Sequence, residues 1–384
     1  MPVSRLEGIA PTIFSTMSAL AVRTGSVNLG QGFPDTDGPT SLLRAAADAV
    51  AAGHNQYAPG IGVPPLREAI ARHQQRHYGI ELDPDRQVCV TTGCTEAVAA
   101  ALLGLVEPGD EVIVLEPYYD SYVAMLQMVG AVRRPVTLRA PDYRLDPDDV
   151  RAAITPRTRF VLLNTPHNPT GTVLTEAELQ AVADVAIEHD LVVITDEVYE
   201  HLVFDDHVHR PISTLPGMAE RTLTLSSAGK SYSVTGWKIG WATGPAPLVA
   251  AVLDAKQWLS YSSGTPLQHA VAHALDHEPE WPRELARSLQ GRRDLLCAGL
   301  TDLGLAPRVP EGTYFTMTDV AHLGWDDGLS FCEALPERAG VVAIPAQVFH
   351  DAGVGRHLVR WAFCKEPDVI EDGLRRLREA ALEA

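Results

Sequence analysis

The chain has 384 residues, 31 of them basic and 49 acidic, for a formal net charge of −18. That length exceeds one small core and predicts a large and a smaller domain, each burying its own apolar layer. The negative charge repels phosphate backbones and anionic lipid, so nucleic acid and membrane surfaces are excluded as main partners and any anionic ligand must be held locally.

In chain order, residues 1–40 are rich in Gly and Pro, include NLGQGFPDTDGP, and predict an extended arm rather than a folded unit. Arg5 and Glu7 interrupt the start, so no secretory signal is expected. GQGFPD contains GxG but follows no buried strand and precedes no helix, so it is not a dinucleotide fingerprint. Residues 41–280 predict the large domain. Within it, β-rich runs alternate with helical patterns: QVCVTTG then TEAVAAALLGLV, DEVIVLEP then YDSYVAMLQMVG, RFVLLNTP then TEAELQAVADVAIEHD, and finally LVVITDE and RTLTLSS. Such alternation specifies βαβ units, an α/β fold whose mostly parallel sheet is sandwiched by helices. VIVL, FVLL and VVIT are apolar without alternation, as strands buried on both faces should be.

The apolar run AVAAALLGLV (97–106) is bounded by Glu96 and Glu107 and falls short of the roughly 20 residues that span a bilayer. From 281 onward a long helix pattern, PEGTYFTMTDV, SFCEALPERAG, a VVAIPA run and a HLVRWAFC strand predict a smaller α+β domain over 281–384, closed by the charged helix PDVIEDGLRRLREAAL. The five cysteines form no CxxC pair, which predicts neither a disulfide framework nor a zinc knuckle and fits a reducing cytoplasm.

Open parallel sheets bind ligands beyond the carboxyl ends of their strands. Those ends carry Gly93-Cys94-Thr95, Tyr118-Tyr119, Asn164 to Gly171, Asp196 with Tyr199, and Ser226 to Lys230. Each has a plain reading: Lys230 as a solvated turn lysine, Asp196 as a cap or ion-pair partner, TTGCTEA as a tight turn and N-cap. Together they supply an anion cradle, an aromatic ring, an amide, a carboxylate, a phenol and an amine in one crevice. A turn needs no such set, whereas an aldehyde cofactor with a phosphate and a pyridine ring uses it.

NTPHNPTG (164–171), ITDEVYEHLVFD (194–205), SSAGKSYSVTGWKIGW (226–241) and HLVRWAF (357–363) resemble the pyridoxal-phosphate-dependent aminotransferases of fold type I. The likeness runs nearly end to end through NLGQGFPD (28–35), NQYAPGIGVPPLREAIA (55–71) and GDEVIVLEPYYDSY (109–122). Within the family it is similar to the branch of kynurenine aminotransferase, glutamine transaminase K, methionine aminotransferase and actinobacterial N-succinyldiaminopimelate aminotransferase.

The resemblance implies pyridoxal 5'-phosphate as cofactor, with Lys230 its covalent anchor and the base that moves the α-proton. It implies Asp196 against the pyridine nitrogen, Tyr199 and Asn168 at the ring oxygen, and Tyr119 stacked on the ring face. Gly93, Cys94 and Thr95 at a helix N-terminus, with Ser227 and Lys238, would hold the phosphate. Cys94 departs from the small or aromatic residue expected there. Arg360 would take the substrate α-carboxylate, helped by Asn164 and the backbone near Gly32, while Phe14 walls the side-chain pocket. Tyr57 implies a homodimer, reaching the neighbouring subunit's phosphate. HLVFDDHVH (201–209) has a metal-like density of His201, His207, His209, Asp205 and Asp206 but resembles a family surface loop, so no metal is expected.

The expected reaction moves the amino group of an L-amino acid to a 2-oxo acid by a ping-pong mechanism. Candidate substrates are N-succinyl-diaminopimelate with glutamate, or Gln, Met and aromatic amino acids. Two enzymatic alternatives remain open, a carbon–sulfur β-lyase and an enzyme diverting the carbanion to oxygen. A non-enzymatic effector-binding regulator would carry a helix-turn-helix unit ahead of the fold, whereas this sequence begins with the arm.

Overall fold

Residues 3–7, 9, 12–351 and 353–384 are described by the computed structural model. Helix α1 (Ile13–Thr24) starts behind Thr12, whose hydroxyl accepts the Ser15 N–H. Strand β1 (Val27–Asn28), α2 (Thr40–Ala51) and α3 (Pro64–Tyr78) follow. The βαβ region then runs β2 (Val88–Thr92), α4 (Gly93–Leu105), β3 (Glu111–Glu116), α5 (Asp120–Val129), β4 (Val132–Thr137), α6 (Pro147–Ala152), β5 (Thr158–Asn164), α7 (Glu176–Glu188) and β6 (Val192–Asp196). β7 (Thr222–Ser227), the short α8 (Ala228–Ser231), β8 (Ile239–Thr243), α9 (Ala246–Lys256) and α10 (Thr265–His277) complete it.

Seven strands form one sheet in the order β2-β8-β7-β6-β5-β3-β4. All neighbours are parallel except those of β8, which runs antiparallel to β2 and β7. Alternation along β2 sorts the two faces: Val88 and Val90 join a cluster with Leu66 and Ile70 of α3 and Val271 of α10, whereas Cys89 joins the cluster of α4. Ile113, Val114, Leu162, Leu163, Val193 and Ile194 of the central strands are buried, each stabilising the fold by about 1.5–3 kcal/mol of apolar transfer. This is the helix-covered α/β sheet that the apolar runs predict.

α11 (Trp281–Asp302), β9 (Phe315–Asp319), α12 (Gly328–Ala339), β10 (Val341–Val342), β11 (Ile344–Pro345), β12 (Leu358–Ala362) and α13 (Pro367–Glu379) follow. β12 lies between β11 and β9, antiparallel to both, so Arg360 pairs with Ile344 on one side and Met317 on the other. The VVAIPA run is two short strands separated by Ala343, because β10 pairs with β1 and β11 with β12. That pairing corrects the expectation of an extended arm. α1 and β1 fold back on the C-terminal elements, with Met17, Leu20 and Ala21 buried at helical spacing and Val27 paired to Val341. The flanking Gly and Pro residues hid this short stripe.

Candidate active site

A cavity of about 270 Å³ opens where the carboxyl ends of β5, β6 and β7 and the start of α4 face β9 and β12. Gly93, Cys94, Thr95, Tyr119, Asn164, Asn168, Asp196, Tyr199, Ser227, Lys230, Lys238, Gly32, Phe14 and Arg360 all line it. Tyr57 does not. It is 85% exposed, with its ring edge-on to Tyr261 at 5.6 Å. Two other strand-end residues also turn elsewhere: the Tyr118 hydroxyl donates to Asp351 at 2.5 Å and Ser226 to Glu200 at 2.6 Å.

β7 ends at Ser227 and the four-residue α8 carries Lys230 straight into the cavity. Its Nζ donates to the Tyr314 hydroxyl at 2.8 Å, and that hydroxyl donates to the Gly32 carbonyl at 2.6 Å. Burial, above all other effects, lowers the amine from 10.5 to about 8. A neutral fraction far larger than an ordinary lysine's therefore exists near physiological pH, as a nucleophile or base requires.

Asp196 closes β6, and its carboxylate accepts the Tyr122 hydroxyl at 2.7 Å and the Val198 N–H at 3.2 Å. Burial raises it from its ordinary value, against these bonds and a contact with the Cys94 thiol. A buried carboxylate held by these bonds is suited to a cation facing it from the cavity. Cys94 is itself buried and its thiol is pushed well up, chiefly by burial, which makes it a packing group beside Asp196.

The start of α4 forms the anionic end. Gly93 takes φ 71, and Gly240 of β8 passes so close that an added Cβ would lie 2.5 Å from the Gly93 carbonyl carbon. Lys238, itself at φ 55, donates from Nζ to Thr95 Oγ1 at 3.4 Å. The first helical turn, whose N–H groups have no acceptor within the helix, and this ammonium thus meet at one end of the cavity.

Arg360 is 1% exposed. Its Nη1 donates to Asn168 Oδ1 and its Nη2 to the Gly30 carbonyl, each at 3.0 Å, while Nε has no partner among the described residues. The guanidinium lies 3.9 Å from the Phe315 ring centroid and 4.9 Å from that of Phe14. Burial lowers it to about 10, so it stays charged at neutral pH. Asn164 instead braces the backbone, accepting the Asn168 N–H at 2.8 Å and donating to the Asp196 carbonyl at 2.9 Å.

Sequence reasoning missed Tyr122, Tyr314 and Phe315, which touch Asp196, Lys230 and Arg360 respectively. Tyr122 sits inside the quoted GDEVIVLEPYYDSY; Tyr314 and Phe315 sit in PEGTYFTMTDV with no local signal of their contacts. In the 201–209 stretch Asp205 pairs with Arg293 at 2.6 Å and His209 with Glu197 at 2.9 Å, whereas His201 turns to His73, with Nε2 atoms 2.7 Å apart.

A crevice holding one depressed lysine, one buried carboxylate, an anion cradle and a buried arginine, on this α/β sheet, defines an enzyme site of the aminotransferase type. The profile described as "Aminotransferase class I and II" matches residues 24–377, and the chain belongs to that family. It is 55% identical to the probable N-succinyldiaminopimelate aminotransferase of Mycobacterium tuberculosis, over 98% of each chain. It is 41% identical to the methionine aminotransferase of Escherichia coli, over 99% of this chain and 98% of that one. The solved structure of the N-succinyldiaminopimelate aminotransferase from Mycobacterium tuberculosis superposes with a TM-score of 0.96 at 56% identity, covering 98% of this chain and 99% of that one.

The protein is an aminotransferase whose cofactor is pyridoxal 5'-phosphate. Its residues fit that group. The buried Asp196 carboxylate suits a protonated pyridine nitrogen, the first turn of α4 with Lys238 suits a phosphate, and an added Cβ at Gly93 would intrude to 3.2 Å from Lys238 Nζ. The lyase alternative draws no support from these relatives. Among the described residues no helix is long and apolar enough to cross a membrane.

Proposed function

We propose that the protein exchanges an amino group between glutamate and the oxo acid corresponding to N-succinyl-diaminopimelate, one oxo acid leaving before the other enters. The 55% identity over 98% of both chains to the mycobacterial relative carries this choice of substrate. When bound, pyridoxal 5'-phosphate supplies an aldehyde that condenses with amines and a ring that accepts the electron pair left by the departing α-proton.

In this reading Lys230 would anchor the cofactor through its amine and, once released, would be the base that takes and returns the substrate's α-proton. Tyr314 orients that amine from Gly32. Asp196 holds its negative charge toward the pyridine nitrogen and keeps a proton there, with Tyr122 and Val198 fixing the carboxylate. Tyr199 and Asn168 donate toward the ring oxygen, and Tyr119 covers the ring face. Gly93, Cys94 and Thr95 offer N–H groups to the phosphate, Ser227 a hydroxyl and Lys238 a point charge. Arg360 grips the α-carboxylate, its fork held in place by Asn168 and Gly30, and Phe14 bounds the side-chain pocket. Tyr57 serves a neighbouring subunit's phosphate in a homodimer. Five free cysteines, all buried, support a reducing cytoplasm.

A second reading, with methionine or aromatic donors, is favoured by the apolar wall of Phe14 and Phe315 around Arg360. One experiment separates them. Purified protein is mixed with single amino acids while the absorbance of its bound cofactor is followed. Glutamate and N-succinyl-diaminopimelate are expected to bleach it fastest, with no response in Lys230→Ala. Faster bleaching by methionine or phenylalanine selects the second reading, and wild-type turnover by Lys230→Ala refutes the assignment of the base.

A further inference from the structure

Three histidines that line no part of the cavity meet where the last turns of α3 approach the turn after β6. His73 and His77 stand four residues apart on α3, so their imidazoles leave one helix face. His201 lies five residues beyond Asp196, the end of β6. Nε2 of His73 is 2.7 Å from Nε2 of His201. The His77 ring is 4.6 Å from that of His73 and 4.8 Å from that of His201. One nitrogen from each of the three falls within 4.8 Å of the others. His73 is buried, His201 partly so and His77 exposed, which opens the group to solvent on one side.

We propose that His73, His77 and His201 form a site for a borderline divalent transition-metal ion such as Zn²⁺, bound by three imidazole nitrogens with a fourth position left to water. The donor set selects that class, because imidazole suits zinc and its neighbours whereas calcium and magnesium require oxygen. With Zn–N bonds of about 2.0–2.1 Å, the edge of the ligand tetrahedron is roughly 3.3–3.4 Å. That value lies between the 2.7 Å and 4.8 Å separations here, within reach of side-chain rotation.

The surroundings supply support beyond the ligands. Gln74 places its side-chain amide 3.5 Å from His73 Nδ1, where it can fix which nitrogen faces the ion. Glu200, accepting from Tyr78 at 2.7 Å and Ser226 at 2.6 Å, brings negative charge near His77, where Arg76 and Arg283 oppose it. The ion would tie α3 to the segment that carries Asp196 and Tyr199, acting as a clamp on that turn and not in the chemistry. A plain buried His73–His201 hydrogen bond needs no third histidine, so His77 is where the two accounts part.

Tag-free holoenzyme, cleared of metal by a chelator and dialysed, is titrated with Co²⁺ and then Zn²⁺. One Co²⁺ per chain is expected, with new visible ligand-field bands in the difference spectrum, displaced by Zn²⁺, and a higher thermal midpoint once Zn²⁺ is bound. His77→Ala, at an exposed position, should fold, keep its transamination rate in chelator, and lose at least about tenfold in metal affinity. His207→Ala, at another exposed histidine, should lose none. Absence of Co²⁺ and Zn²⁺ binding overturns the proposal. So does undiminished binding by His77→Ala, or an equal loss in His207→Ala.

Discussion

Lys230 and Asp196 share a cavity, yet they form no ion pair, and each is held away from its ordinary protonation by burial. For Lys230 this has a consequence for stability. The unfolded amine keeps its proton up to about 10.5, whereas the folded one releases it near 8. Unfolding therefore takes up a proton between these values, so the burdened folded state is relieved as pH rises from about 8 to 10.5. Below pH 8 the burden is nearly full. In protein stripped of cofactor, Lys230→Met should gain about 3 kcal/mol at pH 7, from 1.36 kcal/mol per pKa unit, and only about 1 kcal/mol at pH 10. Urea unfolding at the two pH values measures this, and equal stability of variant and parent at pH 7 contradicts the account. Lys230 and Asp196 were legible in sequence because a nucleophilic or charged type at the end of an apolar strand is chemically conspicuous, whereas Arg360, in the middle of β12, was legible only through the resemblance carried by HLVRWAF. Tyr314 was not, since it reaches Lys230 from 84 residues further along and its neighbourhood reads as an ordinary strand start.

At the scale of elements, the anion cradle depends on β8 lying against the first turn of α4. Gly240 makes that approach possible: a Cβ there would meet the Gly93 carbonyl carbon at 2.5 Å and the Cys94 nitrogen at 2.7 Å. Both are backbone atoms that cannot rotate aside. Gly240→Ala should therefore push the helix start from the strand, costing about 1–3 kcal/mol and weakening cofactor retention by tenfold or more. Gly236→Ala, with nothing within 4 Å of its added Cβ, should do neither. Cofactor release followed by fluorescence, alongside thermal melting, tests both, and unchanged retention in Gly240→Ala would refute the cradle's dependence on β8. The strands flanking the site were readable as continuous apolar runs. The antiparallel direction of β8 was not, because that strand is buried on both faces and shows no more alternation than its parallel neighbours. α1 was hidden for another reason: three buried residues within twelve make a weak stripe beside so much Gly and Pro.

At the scale of the whole molecule, the dimer reading meets an electrostatic obstacle, since two copies of net charge −18 repel. Apolar surface must overcome that repulsion, and it is present beside the cavity mouth. Tyr57, Trp258, Leu259 and Tyr261 are exposed by 85, 83, 50 and 48%. Isolated exposed apolar residues need no explanation, but here Tyr57 packs on Tyr261, and the buried ammonium of Lys256 donates to Gly60 and Tyr261 carbonyls at 2.5 and 2.7 Å, holding both loops together. Ser260 Oγ lies 3.1 Å from Thr92 Oγ1, directly before the α4 cradle. A copy seated on this patch would lie against the site. Light scattering should give twice the 41.5 kDa chain mass, with association tightening as salt screens the repulsion. The double change Trp258→Asp with Tyr261→Asp should yield folded single chains that lose most transaminase activity, because Tyr57 no longer reaches a neighbouring phosphate. Full activity in a chain that sediments alone would show that each cavity is complete without its neighbour, and the role assigned to Tyr57 would fall with it.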